Sequence, residues 1–216
     1  GKMSQAGFSV PPGFTVTTAA YEDFLEHSSL SRILKSLLDT AKYEDAGHLE
    51  AVTAKIRMAI VEAPMPAALA DAIRAAYAAL GAQPYVAVRS SGTAEDLTGA
   101  SFAGLHDTYL DIRGEDELLD AVKRCWASLW SSRAVSYRHT KQFEQFKNPL
   151  AVVVQSMVES ATAGVMFTGN PLTDSTNEFV INASWGRGEA VVSGSANPDE
   201  FLIDATTLKV KTRTLG

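Results

Sequence analysis

The stretch from Arg89 to Gly104, RSSGTAEDLTGASFAG, concentrates residue types suited to holding an anion. Gly92, Gly99 and Gly104 permit backbone angles and close approaches that a Cβ would block. Ser90, Ser91, Thr93 and Ser101 add hydroxyl donors. A loop of this kind can turn successive N–H groups toward a polyphosphate, and Arg89, at the end of the preceding strand, adds a forked cationic donor that matches phosphate oxygens. The loop is neither a GxxxxGK[ST] sequence nor a GxGxxG turn. On residue types alone, the choice stays open between an anion-binding nest and an ordinary hairpin loop carrying a surface arginine.

Other reactive residue types have blander readings. Glu95 and Asp96 are the hard oxygen donors that magnesium prefers, but adjacent side chains in a turn point apart, and capping of the loop is their expected use. The single cysteine, Cys125, lies in the apolar run ELLDAVKRCWASLW and reads as a buried thiol. Being alone, it excludes an intramolecular disulfide and a Cys-rich zinc site. His27, His48 and His139 fall in polar helical contexts and are expected in solvent, whereas His106 follows the glycine loop among residues that alternate into a core.

Periodicity supplies the elements that position these groups. GFSVPPGFTVTTAAYEDFL reads as a short extended segment, a Pro-Pro break, a strand and a helix, with Thr17 and Thr18 offering the N-cap hydroxyl. From Ser29 to Leu80 apolar residues recur at helical spacing, interrupted at Pro64 and Pro66 and ended at Gly81. YVAVRSS and LHDTYLDI are strands on either side of the glycine loop. The segment from Glu115 to about Lys141 is helical, with Leu118, Val122, Cys125, Trp126 and Leu129 on one face. From Leu150 onward PLAVVVQSMV, AGVMFTG, EFVINAS, DEFLID and LKVKT are strands, the last two joined by a hairpin at DATT.

The expected architecture is therefore α+β: a helix-rich lobe over 1–148 with a strand–glycine loop–strand unit, and a β-rich lobe over 149–216. Two such lobes commonly hold a ligand in the cleft between them. A chain of 216 residues, 46% hydrophobic and 20% charged, is an ordinary globular composition. Its net charge of −6 argues against a general nucleic-acid binder. No apolar stretch approaches the length of about 20 residues that a membrane span needs, and a basic, apolar signal pattern is lacking at the start. A cytoplasmic protein is the expectation.

VAVRSSGTAEDLTGASFAGLHDTYLDIRG resembles the signature stretch of the phosphoenolpyruvate synthase, pyruvate phosphate dikinase and rifampin phosphotransferase family. CWASLWSSRAVSYR, AVVVQSMV, AGVMFTGNP, ASWGRGEAVVSGSANPDEFLID and the early AGFSVPPGFTVTTAAY continue the likeness in order, over about half of the chain. The resemblance implies an ATP-grasp-like module of a phosphotransferase that moves a phosphoryl group from ATP, by way of a carrier histidine, to an acceptor such as pyruvate or a small hydroxylated compound. The alternative is an ATP-sensing or structural binding module without catalysis.

By the same resemblance Arg89 would contact the phosphates, as the one catalytic candidate, with Gly104 and Thr108 on the same nucleotide wall. Gln155 would lie at the adenine, with the backbone of Met157 and Val158 imitating a base-pairing edge. WGRGE at 185–189 places Arg187 where the family usually has leucine, and Glu189 reads as structural. The family's ATP lysine belongs to a GGK motif ahead of the AGF segment, and Lys2 lies too close to Ala6 to be that residue. The magnesium ligands, the rest of the second lobe, and the carrier-histidine and acceptor domains are expected outside this chain.

Overall fold

The computed structural model describes residues 2–92, 107–147 and 149–216. They form two compact units divided between Met157 and Val158. The glycine loop, including Thr93, Glu95, Asp96, Gly99, Ser101, Gly104 and His106, and Asn148 at the expected lobe boundary lie outside the described residues.

In the first unit a short helix α1 (Lys2–Gln5) precedes strand β1 (Gly13–Val16). Helices α2 (Thr18–His27), α3 (Leu30–Leu38), α4 (Ala46–Glu62) and α5 (Ala67–Ala78) follow. Strands β2 (Val86–Gly92) and β3 (Thr108–Ile112) come next, then α6 (Glu115–Ser128), α7 (Ser132–Thr140) and β4 (Leu150–Ser156). The four strands make one antiparallel sheet in the order β1-β4-β2-β3. Helices α2 and α6 pack on it. Its core joins Val86, Val88, Val152 and Val154 of the sheet to Phe24, Leu34, Ile56, Leu118, Val122 and Trp126 of the helices and to Trp130 in the turn between α6 and α7. Phe24 stacks on Trp126 at 5.0 Å between ring centroids, and Tyr21 tilts against the same indole at 5.6 Å.

Local chemistry starts and stops these elements. The Asp45 carboxylate accepts from the His48 N–H at 2.9 Å, capping α4, and that bond holds its carboxyl below the usual range. The Ser131 hydroxyl caps α7 by accepting from the Ala134 N–H. Three acids, Glu115, Asp116 and Glu117, open α6, where the helix dipole favours negative charge. Thr17 occupies the N-cap of α2 as expected, but its hydroxyl makes no capping bond, so extended backbone rather than a side chain starts that helix. Between β2 and β3 the register slips: Val86 opposes Ile112 while Val88 opposes Tyr109. Asp111, at φ 60°, lies in the resulting bulge, which leaves both Tyr109 and Ile112 on the core face.

In the second unit β5 (Thr162–Phe167), β6 (Glu178–Trp185), β7 (Asp199–Asp204) and β8 (Val210–Thr214) form an antiparallel meander. A single short turn of helix, α8 (Glu189–Val192), packs on β5 and β6. The expected hairpin after β7 is present, its turn tied by the Asp204 carboxylate accepting from the N–H groups of Thr206 and Thr207. Val180 is the one buried apolar side chain of this unit among the described residues. The strand PLAVVVQSMV, expected in the second lobe, pairs instead with β1 and β2. Its alternating valines complete the first sheet's apolar face, so the compact division falls after it. Among the described residues no helix is long and apolar enough to cross a membrane.

Candidate functional site

Residues directly opposed in antiparallel strands project to the same side of a sheet. The register therefore sorts the first unit's sheet into two unlike faces. Val88 opposes Val154 and Tyr109, and this face is covered by helices. Arg89 opposes Val153 on β4 and Thr108 on β3, while Gln155 opposes Ala87 and Gly13. Arg89, Thr108, Val153, Gln155 and Thr15 thus share the other face, with Gln155 one strand over and two residues along from Arg89. Such diagonal neighbours lie about 7–8 Å apart.

Three of the residues singled out in the sequence, Arg89, Thr108 and Gln155, are thereby brought together. Arg89 is exposed and has no carboxylate partner among the described residues. Gln155 is half-buried and its Nε2 donates to the Pro11 carbonyl at 3.1 Å. Met157 follows the strand and its N–H donates to the Tyr85 carbonyl at 2.8 Å, which takes that amide out of the expected base-reading edge. Val158 opens the second unit and is exposed. Gly104 lies outside the described residues.

Beneath Thr108, the start of β3 is held from the opposite face. The Tyr109 hydroxyl donates to the Asp107 carboxylate at 3.1 Å, and the Arg124 guanidinium lies 4.5 Å over the Tyr109 ring. Burial, reinforced by the Asp107 charge, pushes the Tyr109 hydroxyl above its ordinary range, so it stays a donor. The Asp107 carbonyl in turn accepts from the N–H and the hydroxyl of Ser90, each at 3.4 Å. These contacts pin the strand ends on both sides of the glycine loop. Sequence reading missed Arg124, because an arginine inside a helical run reads as a surface residue.

The remaining candidates separate from this face. His27 is exposed beside Asp23 at 3.0 Å. His48 bonds the Thr40 carbonyl through Nε2 at 2.9 Å. His139, though exposed, stacks on Tyr43 at 3.7 Å rather than standing free in solvent. Glu189 is exposed at the start of α8, where its backbone carbonyl accepts from the Ser193 N–H. Clefts also open on the helical side. One of 490 Å³ lies between α5 and α6 at Asp71, Arg74, Asp116 and Lys123, and one of 450 Å³ runs along α3. In the first the charges already neutralise one another, as Arg74 pairs with Asp71 at 3.4 Å and Lys123 with Asp120 at 3.2 Å. The sheet face of Arg89 is the better candidate, since that cation has no carboxylate partner among the described residues and shares its face with a hydroxyl and an amide. Among the described residues no three or more His, Cys, Asp or Glu side chains group as metal ligands.

Comparison with known proteins identifies the family. The chain matches, over residues 1–216, the family model described as pyruvate phosphate dikinase, AMP/ATP-binding domain. It is 44% identical over 253 residues to a probable phosphoenolpyruvate synthase of Pyrococcus abyssi, covering 100% of this chain and 31% of that protein. It is 48% identical over 217 residues to a probable phosphoenolpyruvate synthase of Staphylothermus marinus, covering 97% and 26%. A phosphoenolpyruvate synthase of Pseudomonas aeruginosa is 44% identical over 212 residues, covering 96% and 27%. The chain thus spans about a third or less of the length of these curated relatives. With every one of its residues inside the family match, it belongs to the pyruvate phosphate dikinase AMP/ATP-binding domain family.

Proposed function

We propose that this chain is the ATP-binding module of a phosphotransferase, with an ATP-grasp-like arrangement and with Arg89 on the distal phosphates. The relatives are named phosphoenolpyruvate synthases. By analogy the whole protein would pass a phosphoryl group from ATP to a carrier histidine and on to an acceptor such as pyruvate, using domains beyond this module. The observation that carries the reading is the exposed Arg89 guanidinium, without a carboxylate partner among the described residues, on the sheet face it shares with Thr108 beside it and Gln155 diagonal to it. Arg89 supplies charge for the phosphates, Thr108 and the neighbouring glycine loop with Gly104 supply donors, and Gln155 with the backbone after β4 meets the base. At that edge the Met157 carbonyl and the Val158 N–H are the groups left to read the purine. Magnesium would accompany the nucleotide phosphates, but the described residues do not offer a donor set for it. No step is assigned to the ion.

The test is Arg89→Ala, titrated with ATP and with AMP. Losing a charge-assisted hydrogen bond to a distal phosphate costs about 1.5–3 kcal/mol, and the loss should fall on ATP alone. Equal losses for both nucleotides would remove Arg89 from the distal phosphates.

A further inference from the structure

We infer that Tyr109, on the helix-covered side of β3, is a positioning residue that sets how tightly the phosphates are held while touching no nucleotide itself. The inference rests on the phosphate reading of Arg89 given above and adds the group that aligns its partner strand. Thr108 and Tyr109 are successive in a strand, so they project to opposite faces. Thr108 opposes Arg89, and Tyr109 opposes Val88. A shift of the Tyr109 ring therefore moves the backbone that carries Thr108, and with it the alignment of Thr108 to Arg89.

Backbone pairing alone holds this point weakly. β3 is an outer strand of its sheet and pairs with β2. Between the bulge at Asp111 and the start of β3, the register rests on Val88 with Tyr109 and Arg89 with Thr108. Beside them the Asp107 carbonyl accepts from the Ser90 N–H and hydroxyl at 3.4 Å each, long for such bonds. A strand end held by so little opens readily unless side chains fix it. Tyr109 fixes it in three ways. Its ring packs against the apolar core, and the Arg124 guanidinium of α6 lies 4.5 Å over that ring. Its hydroxyl donates to the Asp107 carboxylate at 3.1 Å, and burial keeps that hydroxyl protonated. The Cys125 thiol, next to Arg124 on α6, reaches the Asp107 carbonyl at 3.9 Å. The residue immediately before Thr108 is thus tied to β2, to its own strand and to α6.

Tyr109→Phe keeps the ring beneath Arg124 and removes the bond to Asp107. Dissociation constants for ATP and AMP, measured on the 216-residue chain and on this variant, test the inference. The variant should bind ATP about tenfold more weakly, the size of a lost bond to a charged group, and AMP as tightly as the unaltered chain does. A general loss of folded protein would weaken both alike. In an Arg89→Ala background the same change should cost ATP binding little more, because Tyr109 acts through the alignment of Arg89 with Thr108. Should Tyr109→Phe not fold, Arg124→Met, which takes the cation off the ring, decides by the same split between nucleotides. A selective ATP loss in Arg89→Ala with none in Tyr109→Phe would overturn the positioning role and leave the phosphate reading standing. So would equal losses of ATP and AMP in Tyr109→Phe, or a fully additive loss in the double variant. An Arg89→Ala chain that loses no affinity for ATP over AMP would overturn the phosphate reading and the positioning role with it.

Discussion

Cys125 and Arg138 show what residue type does and does not disclose. Cys125 is fully buried on α6, its Sγ 3.7 Å from the Val88 carbonyl and 3.9 Å from that of Asp107. Burial, with the Asp107 carboxylate adding to it, pushes the thiol up to about 12 from an ordinary 9.0. The folded chain then holds a proton between those values that the unfolded chain releases. Stability contributed by the thiol is complete below about pH 9 and falls as pH rises toward 12. A thiol reagent at pH 8 should leave folded Cys125 unmodified and label it fully in urea. The stability difference between the unaltered chain and Cys125→Ala should narrow as the solution is made alkaline, and fast labelling of the folded chain would show the site to be open. This burial was legible, because Cys125 falls on the apolar face with Leu118, Val122 and Trp126. Arg138 was not legible. It is fully buried, donating to the Gln145 Oε1 at 2.8 Å and the Leu129 carbonyl at 2.7 Å, 5.3 Å from the Trp130 ring. Burial pulls its guanidinium down to about 10. Leu129 precedes α7 and Gln145 follows it, and only the folded chain brings both acceptors to Arg138.

At the scale of elements, the first unit is an antiparallel sheet with one face sealed by helices and with Arg89, Thr108 and Gln155 on the other. The helices from Ser29 to Leu80 and the strand pair flanking the glycine loop followed from periodicity and turn residues. The Asp111 bulge did not, because one extra residue in five leaves the alternation too short to read. The allegiance of β4 was equally hidden: a strand of alternating valines suits either sheet, and only pairing with β1 and β2 decides. The docking of α2 depends on a polar contact as well as on apolar packing. Burial pushes the Tyr21 hydroxyl well above its ordinary range, so it remains protonated and accepts from the Trp130 Nε1–H at 2.8 Å. Tyr21→Phe keeps the ring on Trp126 but leaves the Trp130 indole N–H buried without its acceptor. It should lower the unfolding free energy by about 1–3 kcal/mol in urea titration. An unchanged midpoint would mean that the indole finds another acceptor or water.

At the scale of the whole molecule, the question is whether the module performs chemistry by itself. Phosphoryl transfer depends on positioning and on neutralising charge that spreads over the phosphoryl oxygens, supplied by a metal and several cationic donors. On the described face the cation assigned to the phosphates is Arg89, and the described residues hold no group of carboxylates fit to bind a metal. The relatives are three to four times as long, which leaves ample chain for the remaining parts. The 216-residue chain should therefore bind ATP weakly and release it unchanged. An assay of phosphate release with magnesium present checks this, beside a direct binding titration under the same conditions. Binding without turnover is the expected result. Robust magnesium-dependent hydrolysis would reject it, and would direct attention to Glu95 and Asp96 in the glycine loop, the hard oxygen donors nearest in sequence to Arg89.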